Sequence, residues 1–102
     1  MRKGIIAIGL FCFGCNNEPP APAAQANFFA ENNGCIAPCY IYFYDASINA
    51  VKWEYTFDNG FTSEFPDDST QYISQRDYNV KLKVWNIDNV ADSVSKVVTI
   101  YE

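Results

Sequence analysis

From residue 26 onward apolar residues return at every second position instead of at helical spacing. Phe28 and Ala30 open the pattern, and Cys39, Ile41 and Phe43 continue it. Val51, Trp53, Tyr55 and Phe57 form its most aromatic run; Tyr78, Val80, Leu82 and Val84, then Val98 and Ile100, close it. Successive side chains on a strand point to opposite faces, so each run predicts a strand with one face in a core and the other in water. Val, Ile, Tyr and Phe dominate the runs, as half-buried strands favour. Between them lie turn formers: Asn32-Asn33-Gly34, Asp45-Ala46-Ser47, Asp58-Asn59-Gly60, Phe65-Pro66-Asp67-Asp68 and Asn86-Ile87-Asp88-Asn89. Short strands punctuated about every ten residues predict an all-β fold, an antiparallel β-sandwich of six or seven strands.

The run WEYTFDNG, residues 53–60, shows how the pattern assigns roles. Val51, Trp53, Tyr55 and Phe57 should face the core while Lys52, Glu54, Thr56 and Asp58 face solvent. Asn59-Gly60 tolerates the positive φ of a tight primed hairpin turn, and Asp58 should accept backbone N–H groups within that turn. Asp58, Asn59, Asp67 and Asp68 also carry the oxygen ligands that a calcium ion takes. No calcium-loop spacing accompanies them, and turns are ordinarily rich in Asp and Asn, so they are read as turn residues.

The first 25 residues do not share the alternation. Arg2 and Lys3 precede an apolar run from Gly4 to Gly14, which then meets Cys15 and the polar Asn16-Asn17-Glu18. A basic start followed by a short apolar stretch is the layout of a secretory signal. Eleven residues are far short of the roughly 20 that cross a bilayer as a helix. The Gly14-Cys15 junction resembles the processing site of bacterial lipoproteins. That resemblance implies a signal peptide over 1–14 and lipid on Cys15, with the mature chain held on the bacterial cell envelope, at the outer membrane or cell surface. Cys12, followed by Phe13, stands where that pattern usually has Leu or another aliphatic residue; an ordinary signal cut near Ala21 to Ala26 would instead discard Cys15. Residues 15–25, with three prolines in NNEPPAPAAQ after the cysteine, read as a flexible linker of extended polyproline type. Residues 26–102 make up the folded domain.

Within that domain a family resemblance rests on four stretches. Ala26-Asn27-Phe28, then Pro38 with Ile41 to Ser47 (IYFYDAS), then Trp53 to Gly60, then Tyr78 to Asn86 (YNVKLKVWN) keep the order and register of the PKD-domain motifs. The sequence resembles PKD domains, immunoglobulin-like modules of bacterial and archaeal surface proteins, from residue 26 to about 101. It departs from them at Tyr55, where the signature has Trp, at Asp58-Asn59, where it has Gly-Asp, and at Arg76, where it has Gly. The resemblance implies an immunoglobulin-like sandwich used as a spacer, an adhesion unit or a carbohydrate-associated module.

Composition narrows the chemistry. The chain is 49% hydrophobic and 17% aromatic, which supports a packed domain over a disordered tail. Formal charge is −5, and loss of Arg2 and Lys3 with a signal would lower it by two more. Such a surface repels phosphates, so nucleic acid is not an expected partner. There is no His, the usual neutral-pH base and the commonest metal ligand. No triad, carboxylate pair or phosphate loop is evident, so no enzyme activity, cofactor or metal is expected.

Two kinds of candidate residue remain. Cys35 and Cys39 bracket Pro38, and a pair outside the cytoplasm should form a disulfide once that short segment turns back on itself. A zinc site would need two further ligands, and a redox dithiol normally has a two-residue gap. With Ile41 and Phe43 inward, Tyr40, Tyr42 and Tyr44 should line the outside of one strand as a ridge about 14 Å long. Such rings either shield the sheet or stack on sugars, which makes them the candidate site for a glycan. Trp85 and Phe29 should also face out, on other parts of the surface. Tyr78 stands where immunoglobulin-like folds have the tyrosine-corner residue. The expected partners are the membrane, through the N-terminal lipid, and a surface protein or polysaccharide.

Overall fold

The computed structural model describes residues 19–102. Seven strands follow in order: β1 Phe28–Glu31, β2 Cys39–Asp45, β3 Lys52–Thr56, β4 Thr62–Ser63, β5 Asp68–Tyr72, β6 Arg76–Trp85 and β7 Ala91–Ile100. They form two antiparallel sheets, one ordered β1-β2-β5 and the other β4-β3-β6-β7. No helix occurs among the described residues. The signal segment and Cys15 lie outside the described residues.

The alternation read along the chain becomes the core. Phe28, Ile41, Phe43, Tyr55, Phe57, Tyr78, Val80, Leu82, Val84, Val98 and Ile100 are all buried between the sheets. At its centre the rings of Phe28, Phe43, Tyr55 and Phe57 lie 5.0–5.9 Å apart, with Tyr55 and Phe57 stacked at 12°. Such offset contacts add to the area that the rings remove from water. Beside this cluster Tyr72 packs on Tyr78 at 4.3 Å, and the Tyr78 hydroxyl donates to Ser74 O at 2.7 Å, as a tyrosine corner does.

Three expectations are corrected here. Val51 is exposed, because β3 begins one residue later, and Trp53 is only half buried at the margin of the core. The 57–61 turn is wider than the two-residue form: Phe57 N–H donates to Phe61 O, and positive φ falls on Asp58 (69°) and Gly60 (93°), with Asn59 between them in the ordinary range. Asp58 serves a partner distant in sequence, accepting from Asn79 N–H at 3.0 Å and pairing with Arg76 at 3.2 Å, while Arg76 also donates to Asp58 O. Strand β5 has no apolar alternation obvious enough to single it out, since DSTQY contributes only Thr70 and Tyr72 to the interior.

The chain entering the sandwich does not stay free of it up to residue 25. Ala21 N–H donates to Asp88, Asn86 and Asn49 side chains donate to Pro22 O and Ala23 O, and Gln25 pairs with Ile48. Ala24 is buried. This stretch therefore lies against the loops that join β2 to β3 and β6 to β7. At the other end of the molecule Cys35 and Cys39 are disulfide-bonded with Cα atoms 6.3 Å apart. The loop they close bonds to the end of the chain, Ala37 N–H to Tyr101 O and Tyr101 N–H to Cys35 O. Closing so short a loop stabilises the fold by about 2 kcal/mol in the chain-entropy description.

Candidate functional site

Strand β2 runs through the middle of the three-stranded sheet, so one of its faces is core and the other is solvent. Ile41 and Phe43 take the inner face, which puts Tyr40, Tyr42 and Tyr44 on the outer one, 44–50% exposed. The register then decides what stands beside them. Phe29 is opposite Tyr44 and Glu31 opposite Tyr42 on β1, while Ser69 and Gln71 face Tyr42 and Tyr40 from β5. Phe29 is 61% exposed and joins the tyrosine ridge, contrary to the expectation that it would lie elsewhere on the surface. Four aromatic rings and a carboxylate thus share one outer face.

Glu31 is fixed on that face by the Tyr44 hydroxyl, which donates to Oε1 at 3.0 Å. The same bond raises the Tyr44 hydroxyl above its ordinary pKa, with desolvation and the charges of Glu31 and Asp67 adding to it. Tyr44 therefore stays a neutral hydrogen-bonding group through physiological pH. The Tyr40 strand position is held from the β1–β2 loop, where Asn32 Nδ2 donates to Tyr40 O.

The face does not stop at Tyr40. Asn59 in the 57–61 loop donates to Thr70 Oγ1 and Gln71 O, which lays that loop along β5 and brings Phe61 beside it. A shallow depression of about 470 Å³ results, lined by Tyr40, Phe61, Ser69, Thr70, Gln71 and Ile73. A second, of about 400 Å³, continues from Phe61, Gln71 and Ile73 to Ser74, Tyr78 and the Asp58–Arg76 pair. Phe61 and Ile73 are 66% and 64% exposed. Neither was singled out from the sequence, although an aromatic directly after Asn59-Gly60, outside any alternating run, was a signal that the core did not explain.

Other candidates are separated or occupied. Trp85 lies on the four-stranded sheet, apart from the tyrosine ridge, with the ammonium groups of Lys52 and Lys83 4.7 and 5.1 Å from its ring centroid. Asp58 and Asn59 lie at the Gln71 end of β5, and Asp67 and Asp68 at the other. The latter two accept from Asp45 N–H and from Ser63 Oγ and Ser69 N–H. Among the described residues no group of three His, Cys, Asp or Glu is placed to hold a metal ion.

What the arrangement can do chemically is present rings, hydroxyls, an amide and a carboxylate along an open face. Solved structures with the same architecture give this a context. One, described as belonging to the carbohydrate-binding modules of the β-sandwich superfamily, matches at TM-score 0.75 and 19% identity over 82% of this chain. The match takes in only 36% of that protein's length. The PKD1 domain of Vibrio anguillarum Epp matches at TM-score 0.71 and 20% identity, covering 80% of this chain and 98% of that domain. The PKD1 domain of the Vibrio cholerae metalloprotease PrtV matches at 0.69 and 21%, covering 79% and 100%. No family model and no curated protein matches the sequence. The chain accordingly has the PKD-like immunoglobulin fold, and at these identities the likeness establishes the fold alone.

Proposed function

We propose that this chain is a non-catalytic, lipid-anchored module of the bacterial cell envelope that contacts a surface protein or a polysaccharide through the outer face of its three-stranded sheet. One observation carries this reading: Phe29, Tyr40, Tyr42 and Tyr44 all expose their rings on that face. Exposed aromatic rings gathered in one patch mark contact surfaces. The structural neighbours are PKD domains and a carbohydrate-binding β-sandwich, which supports a contact or binding role.

The anchor follows from the Gly14-Cys15 junction. Because the chain is bonded to the sandwich from Ala21 on, a tether starting at Cys15 has six residues to extend, up to about 19 Å at 3.1 Å each. Such a tether enters beside the β2–β3 and β6–β7 loops, and the Tyr40–Phe61 depression lies toward the opposite end. The intact mass of protein extracted from membranes is expected to equal the chain beginning at Cys15 plus lipid, less two hydrogens for the Cys35–Cys39 bond. A soluble, unmodified chain removes the anchor from the proposal.

A second reading, a dedicated polysaccharide-binding lipoprotein, is favoured by the depression that extends the tyrosine ridge toward Phe61. Sugar–aromatic contacts need exposed rings, and these three tyrosines supply them. In a native gel containing soluble glycan, the protein is expected to be retarded. The Tyr40→Ala/Tyr42→Ala/Tyr44→Ala variant is expected to run as though no glycan were present, with an unchanged circular dichroism spectrum because the three rings lie outside the core. Equal mobility of the two proteins excludes the ridge as a glycan site.

A further inference from the structure

The charges of the two sheets are segregated, and this bears on the chemical class of the ligand. Strands β1, β2 and β5 contain neither Lys nor Arg. All four lysines of the described residues, Lys52, Lys81, Lys83 and Lys96, belong to the other sheet. Two cations approach the ends of the aromatic face, and only one of them has a charged partner. Lys96 Nζ lies 5.5 Å from the Phe29 ring and donates to Phe28 O at 2.6 Å. Arg76, beyond Phe61, is paired with Asp58. At the end of edge strand β1, opposite Tyr42, stands Glu31, held by Tyr44.

From this we infer that the face takes an uncharged polysaccharide and rejects polyuronates and other acidic glycans. The inference rests on the glycan reading above and specifies it. A sugar hydroxyl can donate to Glu31 and exchange bonds with the tyrosine hydroxyls and Gln71, while its apolar C–H face lies on the rings. A uronate or sulfate brought to the same place meets a fixed carboxylate on a sheet whose strands carry no cation of their own, and like charges so placed repel. Glu31 is thus the residue that sets the selectivity.

A cationic peptide is the other class that an anionic aromatic face admits. It is disfavoured because the neighbouring carboxylates are already engaged, Asp67 by Asp45 N–H and Asp68 by Ser63 and Ser69. One carboxylate is enough to repel an anion laid upon it, but it gives a polybasic chain a single charge contact, whereas a neutral sugar gains from every ring of the face. The lining that remains is aromatic, hydroxyl and amide.

The test uses the protein as purified from cells, in neutral detergent, in affinity gels with hydroxyethylcellulose and galactomannan as neutral probes and polygalacturonate as the acidic one. Binding to one or both neutral probes is expected to exceed binding to polygalacturonate by about tenfold or more at low salt. It should change little between low and high ionic strength, since no charge pair is screened. Glu31→Lys is expected to bring polygalacturonate binding to within about threefold of the neutral probe and to make that binding salt-sensitive. Glu31→Gln should leave neutral binding within about threefold of wild type.

If polygalacturonate binds the wild type as well as the neutral probes do, and the triple tyrosine variant loses both, the glycan reading stands and the selectivity inference falls. If no polysaccharide is retarded and a polylysine probe binds instead, the glycan reading itself falls.

Discussion

Phe57→Ala is expected to cost about 4 kcal/mol of folding stability, the range for removing a large aromatic from a close-packed interior. The ring of Phe57 is stacked on Tyr55 at 5.5 Å and sits 5.0 Å from Phe43. Its carbonyl also accepts the buried Tyr72 hydroxyl. Neighbours of this kind are stiff rings on paired strands, so they collapse poorly into the space left behind. The chain has a single methionine, Met1, so the core holds no flexible thioether side chain to fill the gap. A domain of this size is stable by roughly 4–13 kcal/mol in all, which leaves the variant close to unfolded at growth temperature. Urea unfolding followed by tryptophan fluorescence should show a large drop in midpoint with the slope unchanged. Phe29→Ala, on the outer face, should cost less than about 1 kcal/mol in the same assay. Equal losses in the two variants contradict the assignment of inner and outer faces.

Stability should also fall steeply in alkali. Tyr55 and Tyr72 are fully buried, and their hydroxyls donate to Pro66 O and Phe57 O. Burial raises both far above the usual 10.0, and the charges of Asp45, Asp67 and Asp68 near Tyr55, and of Asp58 near Tyr72, raise them further. The folded chain therefore keeps two protons that the unfolded chain releases once the pH passes about 10. Their contribution is fully present below that pH and is lost above it, by up to about 1.4 kcal/mol per pH unit for each tyrosine. By pH 11 the two together should have removed roughly 3 kcal/mol. Denaturant midpoints measured from pH 8 to 11 should be flat at first and then fall. Absorbance at the tyrosinate band should show two of the seven tyrosines ionising only as the chain unfolds. Tyr72→Phe should roughly halve the slope. A stability that stays level to pH 11 contradicts the burial of these hydroxyls.

Much of this architecture was legible because a strand's two faces are written at period two. Tyr55, Phe57, Tyr78, Val80, Leu82 and Val84 could be assigned to the interior one by one, and Tyr40, Tyr42 and Tyr44 to the exterior, without knowing which strands adjoin. The short Cys35–Cys39 spacing likewise limited what that pair could do. Val51 departs from the pattern because alternation does not mark where a strand begins; the β2–β3 loop runs through it and β3 starts at Lys52. Strand β5 was missed because Asp68, Ser69 and Gln71 are ordinary turn or surface residues, and it is pairing with β2 that makes them a strand.

The candidate site shows the boundary most clearly. The tyrosine ridge is a property of one strand, so local sequence determined it. Its neighbours belong to others: Phe29 and Glu31 arrive through the β1–β2 register, and Phe61 and Ile73 through a loop fastened to β5 by Asn59. Asp58 likewise finds its partner 21 residues away, at Asn79. Which face each side chain takes follows from backbone geometry repeated every two residues, and the sequence carries it. Which faces and loops come together depends on packing between segments far apart in the chain, and only the folded structure decides that.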